Sequence, residues 1–171
     1  MNLSSFLSAG IKTLRAHIGK NAKFPLGVYM VITERCPNRC VYCNYDKLNA
    51  FNGRELGTEE AIDIIGRLQK LGMQKLHLTG GEPLLRDDLP EIINYAKSKG
   101  IFVGISCSGT FIPEKVKDIK NVDIVMLSLD GEEEVHDRLR GKGSFSRAIK
   151  AMDSLKRNKI KFWTTTVLNQ K

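Results

Sequence analysis

The chain has 171 residues, of which 42% are hydrophobic and 27% are charged. This length fits one compact domain, and the composition excludes a disordered or low-complexity protein. The net charge is +8. The basic residues form no continuous block and are not interleaved with aromatic residues, so they favour an anionic cofactor or substrate over nucleic acid. No apolar run approaches the roughly 18 residues that a membrane span needs, so we expect no bilayer crossing.

The N-terminal segment, residues 1–23, is predicted to form a basic amphipathic helix. It contains no acidic residue, and its apolar side chains recur at helical spacing at Leu3, Leu7, Ile11, Leu14 and Ile18. We expect this helix to dock on the domain. The pattern leaves two alternatives open, a weak contact with a membrane surface and an organelle-targeting peptide.

From residue 24 to residue 171, predicted strands and helices alternate. Runs of β-branched and apolar residues predict strands at 27–33, 75–79, 101–106, 122–129 and 160–168. Amphipathic stretches predict helices at 58–71, 87–99, 113–119 and 144–158. Thr58 and Ser144 are the expected N-caps, and Gly100 is expected to end the second helix. The order predicts an α/β protein with a parallel sheet, whose polar residues collect at the carboxyl ends of the strands.

Three of the four cysteines follow the first predicted strand. Cys36, Cys40 and Cys43 have the spacing C-x3-C-x2-C, whereas Cys107 lies far along the chain. A structural zinc site usually has four ligands in two separated pairs. An iron–sulfur cluster held by three thiolates keeps one iron open to a small molecule. The spacing therefore favours a catalytic iron–sulfur cluster, with a zinc site and unrelated packed thiols as the alternatives.

A second motif follows the second predicted strand. Residues 80–83 read Gly-Gly-Glu-Pro. The two glycines permit a close approach of the main chain, and Glu82 precedes a rigid proline. A carboxylate beside exposed backbone groups suits the ammonium group of a ligand. A Gly-Gly pair alone is a weak signal, because most such pairs are only tight turns.

Together the two motifs resemble those of the radical S-adenosylmethionine (radical SAM) superfamily. The cysteines, with Tyr42 at the aromatic position, match the cluster-binding signature, and residues 80–83 match the stretch that holds the amino group of SAM. Residues 128–131, 136–137, 140–141 and 143–145 resemble the S-x-D-G, H-D, R-G and G-S-F pattern of one branch. That branch contains molybdenum-cofactor enzymes, peptide modifiers and haem-pathway members. The resemblance covers residues 24–171.

This resemblance implies a fold and a reaction. The fold would be a parallel (β/α) partial barrel of the TIM type, with about five βα units and therefore a C-terminal truncation. The function would be reductive cleavage of SAM at a [4Fe-4S] cluster, giving a 5′-deoxyadenosyl radical that abstracts hydrogen from an unidentified small-molecule or peptide substrate. A reductant such as flavodoxin or ferredoxin and a cytoplasmic location are also implied. The alternative is a non-catalytic metal-binding module, either a zinc site or a truncated cluster-binding remnant.

The resemblance also assigns roles to single residues. The metal ligands would be Cys36, Cys40 and Cys43. The SAM-binding candidates are Tyr42 through its backbone, Gly80, Gly81, Glu82, Pro83, Ser108, Ser128, Asp130 and Arg140. Ser108 stands where family members often carry asparagine. We expect His77 and Cys107 to be packed side chains, and His136 and Asp137 to shape a loop or cap a turn.

Overall fold

The computed structural model describes residues 25–43 and 54–168. The predicted N-terminal helix at residues 1–23 lies outside this part of the chain and stays a prediction. Within the described residues, no helix is both long enough and apolar enough to cross a membrane.

Five strands form one sheet in chain order. They are β1 (Gly27–Thr33), β2 (Lys75–Gly80), β3 (Phe102–Cys107), β4 (Ile124–Ser128) and β5 (Phe162–Thr165). Each strand pairs in parallel with the next. The predicted α/β class and parallel sheet are therefore confirmed. Because all strands run the same way, the loops that follow them meet at one edge of the sheet.

Within the part of the chain that the structure describes, five α-helices connect the strands. They are α1 (Thr58–Lys70), α2 (Leu89–Ser98), α3 (Ile112–Lys115), α4 (Glu133–Arg140) and α5 (Ser144–Arg157), and a short 3₁₀ helix spans Pro83–Leu85. The sequence did not predict α4 or the 3₁₀ helix. In α4 only His136 is buried, so the apolar periodicity that identifies an amphipathic helix is weak there.

Both predicted N-caps are wrong. Thr58 is the first helical residue of α1, and its Oγ1 donates a hydrogen bond to Asp88 at 2.6 Å. Ser144 is likewise the first residue of α5, and the helix end is capped from α4 by Asp137, which accepts a bond from the Phe145 amide at 2.8 Å. A carboxylate from a neighbouring helix thus replaces the local hydroxyl. Gly100 follows α2 with a φ of +72°, as expected.

The sheet has one face buried under the helices and one face more open. Alternate strand residues, such as Leu78, Ile105 and Leu127, are fully buried against the helices. The opposite face presents Tyr29 and Trp163, which are 71% and 53% exposed. Their face lines a cavity of about 460 Å³ near the amino ends of the strands. The candidate site lies on the same face, at the carboxyl ends.

Candidate functional site

A cavity of about 190 Å³ lies at the carboxyl ends of the central strands. Cys36, Cys40 and Cys43 line it from the loop after β1, and Gly80 and Gly81 line it from the end of β2. The two motifs that the sequence singled out separately therefore share one cavity. Parallel strand order is the reason, since β1 and β2 are neighbours and their following loops are adjacent.

Most of the other candidates reach the same cavity. Tyr42, Ser108, Ser128 and Arg140 contribute to its lining. Glu82, Pro83 and Asp130 are instead buried in the protein beneath the site. The structure thus divides the candidates into residues at the cavity surface and residues that support them.

The loop between Cys40 and Cys43 is a tight turn tied to α4. The Cys43 amide donates to the Cys40 carbonyl at 3.0 Å, and the Val41 amide donates to the Leu139 carbonyl at 2.9 Å. Cys36 is exposed, while Cys40 and Cys43 are half-buried. This turn places the second and third cysteines close to the β4–α4 connection.

The three thiols fit an iron–sulfur cluster by their chemistry, because thiolates are the usual ligands of such clusters. Burial raises the pKa of Cys36 and of Cys40, and the nearby Arg140 partly offsets the rise at Cys40. In residues 25–43 and 54–168, no three Cys, His, Asp or Glu side chains stand close enough to hold a metal ion. The three thiols nevertheless line one cavity.

Gly80 and Gly81 allow the end of β2 to pack closely against the start of the cysteine loop. The Gly81 amide donates to the Thr33 carbonyl, and the Glu82 amide donates to the Arg35 carbonyl, both at 2.8 Å. A Cβ atom at Gly80 would overlap the Thr33 oxygen, and one at Gly81 would overlap the Arg35 oxygen. Only glycine fits at either position, and at Gly80 the φ of +138° adds a second reason.

Glu82 is buried, with 1% of its surface exposed. Its Oε2 accepts hydrogen bonds from the Ser108 amide at 2.9 Å and from the Ser108 hydroxyl at 2.6 Å. Burial raises the pKa of Glu82, and the bonds from Ser108 offset part of that rise. Ser108 therefore holds the carboxylate of the glycine motif, a contact that the sequence did not reveal.

Asp130 is the centre of a buried group that we call the Asp130 cluster, formed by Tyr42, Asp130 and Arg140. The Tyr42 hydroxyl donates to Asp130 Oδ2 at 2.6 Å, and Arg140 Nε donates to the same oxygen at 2.5 Å. Oδ1 accepts from the Val167 amide at 3.0 Å. Both carboxylate oxygens thus have protein partners, which favours a supporting position for Asp130 over direct contact with SAM.

Burial and hydrogen bonding have opposite effects on the pKa of Asp130. Burial alone would raise the pKa of Asp130, but the hydrogen bonds from Arg140 and Tyr42 outweigh it, and the pKa is lowered. Burial and the bond to Asp130 both raise the pKa of Tyr42, so the phenol stays protonated and keeps donating. The guanidinium also lies over the Tyr42 ring, 5.5 Å from its centroid.

The four residues expected to have structural roles are hydrogen-bonded or packed within the protein. His136 Nδ1 accepts from the Asp130 amide at 3.1 Å, and Asp137 caps α5. A hydrogen bond of 2.6 Å joins His77 Nε2 and Ser106 Oγ, and the His77 ring packs against Tyr29 with the centroids 4.8 Å apart. Cys107 is buried at the end of β3.

Known proteins resemble this chain over most of its length. The sequence profile of the Radical SAM superfamily matches residues 30–169. Fe-coproporphyrin III synthase from Methanosarcina barkeri is 36% identical over 143 residues, which cover 81% of this chain and 36% of that protein. The PqqA peptide cyclase from Granulibacter bethesdensis is 34% identical over 137 residues, covering 77% of this chain and 37% of the cyclase. The chain thus spans about a third of the length of these relatives.

The fold is also found among solved structures. The crystal structure of Streptococcus suis SuiB bound to the precursor peptide SuiA superposes with a TM-score of 0.75 at 19% identity. The match covers 94% of this chain and 38% of SuiB. It confirms the partial (β/α) barrel that the sequence predicted. The profile match over residues 30–169 and the 36% identity to the Methanosarcina barkeri protein show that the chain belongs to the radical SAM superfamily, whose cofactors are a [4Fe-4S] cluster and SAM.

Proposed function

We propose that this chain carries the SAM-cleaving centre of a radical SAM enzyme. Cys36, Cys40 and Cys43 would hold the [4Fe-4S] cluster and leave one iron open. One observation carries the proposal: the three thiols and the Gly80–Gly81 backbone line the same cavity. When bound, the cluster and SAM supply the electron transfer and the carbon–sulfur cleavage that yield the 5′-deoxyadenosyl radical.

The residues of the chain would bind and orient the ligand. The absence of side chains at Gly80 and Gly81 lets the cysteine loop pack against the end of β2, so that the backbone of the glycine motif and the thiols face the same ligand. Arg140 brings a positive charge to the cavity and is kept in place by Asp130. We infer that Ser128 and Arg140 contact the ribose or the carboxylate of SAM, and that the backbone at Tyr42 contacts the adenine.

Glu82 would act from below the cavity wall. Its carboxylate is held by Ser108, which lines the cavity. A negative charge at this depth favours a cationic group close by, because an unpaired buried charge is costly. This supports a contact between the Glu82 region and the ammonium group of SAM, with Ser108 setting the orientation of the carboxylate.

We infer a peptide or small-molecule substrate and an electron-donating protein such as flavodoxin or ferredoxin. The names of the relatives support both substrate classes, since one is a PqqA peptide cyclase and another is an Fe-coproporphyrin III synthase. Hydrogen abstraction by a 5′-deoxyadenosyl radical is compatible with either class.

The test is anaerobic reconstitution with iron and sulfide, followed by electron paramagnetic resonance of the reduced protein with and without SAM. We expect a cluster signal that shifts when SAM is added, because SAM binds the open iron. Release of 5′-deoxyadenosine under reducing conditions would show cleavage. A protein that holds zinc in preference to iron, or a signal that ignores SAM, would contradict the proposal.

Two cysteine variants sharpen this test. Cys40→Ala should abolish both the cluster signal and SAM cleavage. Cys107→Ala should keep the cluster, since Cys107, although it contributes to the cavity lining, is buried in the core at the end of β3. Loss of metal in both variants would instead indicate a closed site with four thiolates, as in structural zinc centres.

A further inference from the structure

We propose that the Asp130 cluster positions the cysteine loop, with Tyr42 as its point of attachment and Asp130 and Arg140 as positioning residues. Tyr42 lies between two of the three cysteines, and its hydroxyl donates to Asp130 Oδ2 at 2.6 Å. The loop is thereby joined to the β4–α4 connection, which is 88 residues away in the chain. This inference rests on the proposed function in one respect, that the cysteines hold a cluster.

Asp130 and Arg140, to which the cysteine loop is attached, are held firmly by the surrounding protein. The Asp130 side chain has no exposed surface, and Arg140 is only 12% exposed. Arg140 Nε, the Val167 amide and the Tyr42 hydroxyl occupy the two carboxylate oxygens. A buried carboxylate with this many donors has little freedom to move, so a group bonded to it is fixed as well.

A second attachment runs through the main chain beside the first. The Val41 amide donates to the Leu139 carbonyl at 2.9 Å, and Leu139 precedes Arg140 in α4. Adjacent residues of the loop, Val41 and Tyr42, are thus bound to α4 and to the loop before it. Both attachments fall between Cys40 and Cys43, where a shift of the main chain would move two thiols together.

The cluster also explains why α4 exists despite its weak apolar pattern. Its C-terminal residue Arg140 binds Asp130, and its only buried residue, His136, accepts a bond from the Asp130 amide at 3.1 Å. Polar contacts to Asp130 therefore add to the contacts that α4 makes with α5 and with Val41. Partners of this kind, which orient metal ligands without touching the metal, typically change metal affinity by 10–100-fold when they are removed.

The experiment compares Tyr42→Phe and Asp130→Asn with the unaltered 171-residue chain. Tyr42→Phe removes only the hydroxyl, and Asp130→Asn removes the charge and keeps the shape. Hydrogen exchange is measured on the metal-free protein, at the Val41 and Cys43 amides. Loss of iron to a chelator is then measured after reconstitution. We expect both amides to exchange about tenfold faster in each variant, and iron loss to accelerate by a similar factor.

Tyr95→Phe is the matched control, since Tyr95 is a partly buried tyrosine on α2, away from the cysteine loop. It should change neither readout. Amides in β3 report on the whole fold and should stay protected in all variants. Unchanged exchange at Val41 and Cys43, or equal acceleration in β3, would overturn the positioning role. Faster exchange at the two amides in a chain that retains no iron would uphold the positioning role and refute the proposed function.

Discussion

The Glu82 carboxylate accepts two hydrogen bonds from Ser108, one from the amide and one from the hydroxyl. This pair joins the glycine motif after β2 to the loop after β3. Because Glu82 is only 1% exposed, protein donors must replace the water that its carboxylate loses. The serine hydroxyl at 2.6 Å therefore compensates for part of the cost of placing a charge beneath the cavity.

Ser108→Ala should weaken both the fold and the binding of SAM. Removing one hydrogen bond to a buried charged group costs about 1.5–3 kcal/mol. We expect the free energy of unfolding to fall by about this amount, and the dissociation constant for SAM to rise about tenfold as the carboxylate loses its orientation. Denaturant unfolding of the metal-free chain and a SAM titration of the reconstituted chain measure the two effects. Ser146→Ala, an exposed serine on α5, should leave both unchanged.

Glu82→Gln should separate stability from binding. Burial raises the pKa of Glu82, so the ionised carboxylate is disfavoured in the folded chain relative to the unfolded one. The folded chain loses stability as the pH rises above the unfolded value of about 4.3, and the amide is free of that loss. We expect the variant to be at least as stable as the original chain at pH 7 and to bind SAM about tenfold more weakly or worse. Urea unfolding at pH 4 and pH 7 tests the direction of this change in stability. A Glu82→Gln variant that is less stable than the original chain at pH 7 would refute the prediction.

Gly81→Ala should disrupt the contact between β2 and the cysteine loop. The added Cβ would overlap the Arg35 carbonyl oxygen, which is main chain and can yield only by moving the loop. Overpacking of this kind costs about 1–3 kcal/mol. We expect a lower melting temperature and less iron retained per chain. In Gly27→Ala the new Cβ meets only Lys75, with its Cβ at 3.7 Å and its carbonyl oxygen at 3.9 Å, which are ordinary contacts. This control should keep the original melting temperature and iron content.

Structural features that depend on the local sequence pattern, such as the strands, are predicted well from the sequence. β1 runs over Gly27–Thr33, as the β-branched run indicates, and the other strands agree to within a few residues. The two motifs are brought together because parallel order places consecutive loops side by side. Hydrophobic alternation and strand order therefore account for both the fold class and the position of the cavity.

The sequence fails where distant polar groups decide the structure. The bond from Tyr42 to Asp130 joins residues 88 positions apart, and no local pattern encodes it. The cap of α5 comes from Asp137 on another helix, which is why Ser144 was misassigned. Asp130 stays a predicted SAM-binding residue, and its bonds to Tyr42, Arg140 and Val167 are likewise visible only in three dimensions.

His136 should contribute a loss of stability as the pH is lowered from 7 towards 5, opposite in sign to the contribution of Glu82. Burial lowers the pKa of His136; Arg140 and Arg147 lower it further, while Asp130 and Asp137 raise it. Below the unfolded pKa of about 6.5 the unfolded chain takes up a proton that the folded chain refuses, so the free energy of unfolding decreases. Protonation of Nδ1 would also remove the acceptor for the Asp130 amide. We expect a loss on the order of 1 kcal/mol from this group.

His136→Asn isolates that contribution, because the asparagine oxygen can accept from the Asp130 amide and does not titrate. Urea unfolding of the metal-free chain at several pH values should give a shallower pH dependence for this variant. Some dependence should remain, since burial also lowers the pKa of His77. Replacing both histidines with asparagine should reduce the loss of stability between pH 7 and pH 5 further. An identical slope in the original chain and His136→Asn would show that His136 titrates alike in the folded and unfolded chains, against the burial seen at this position.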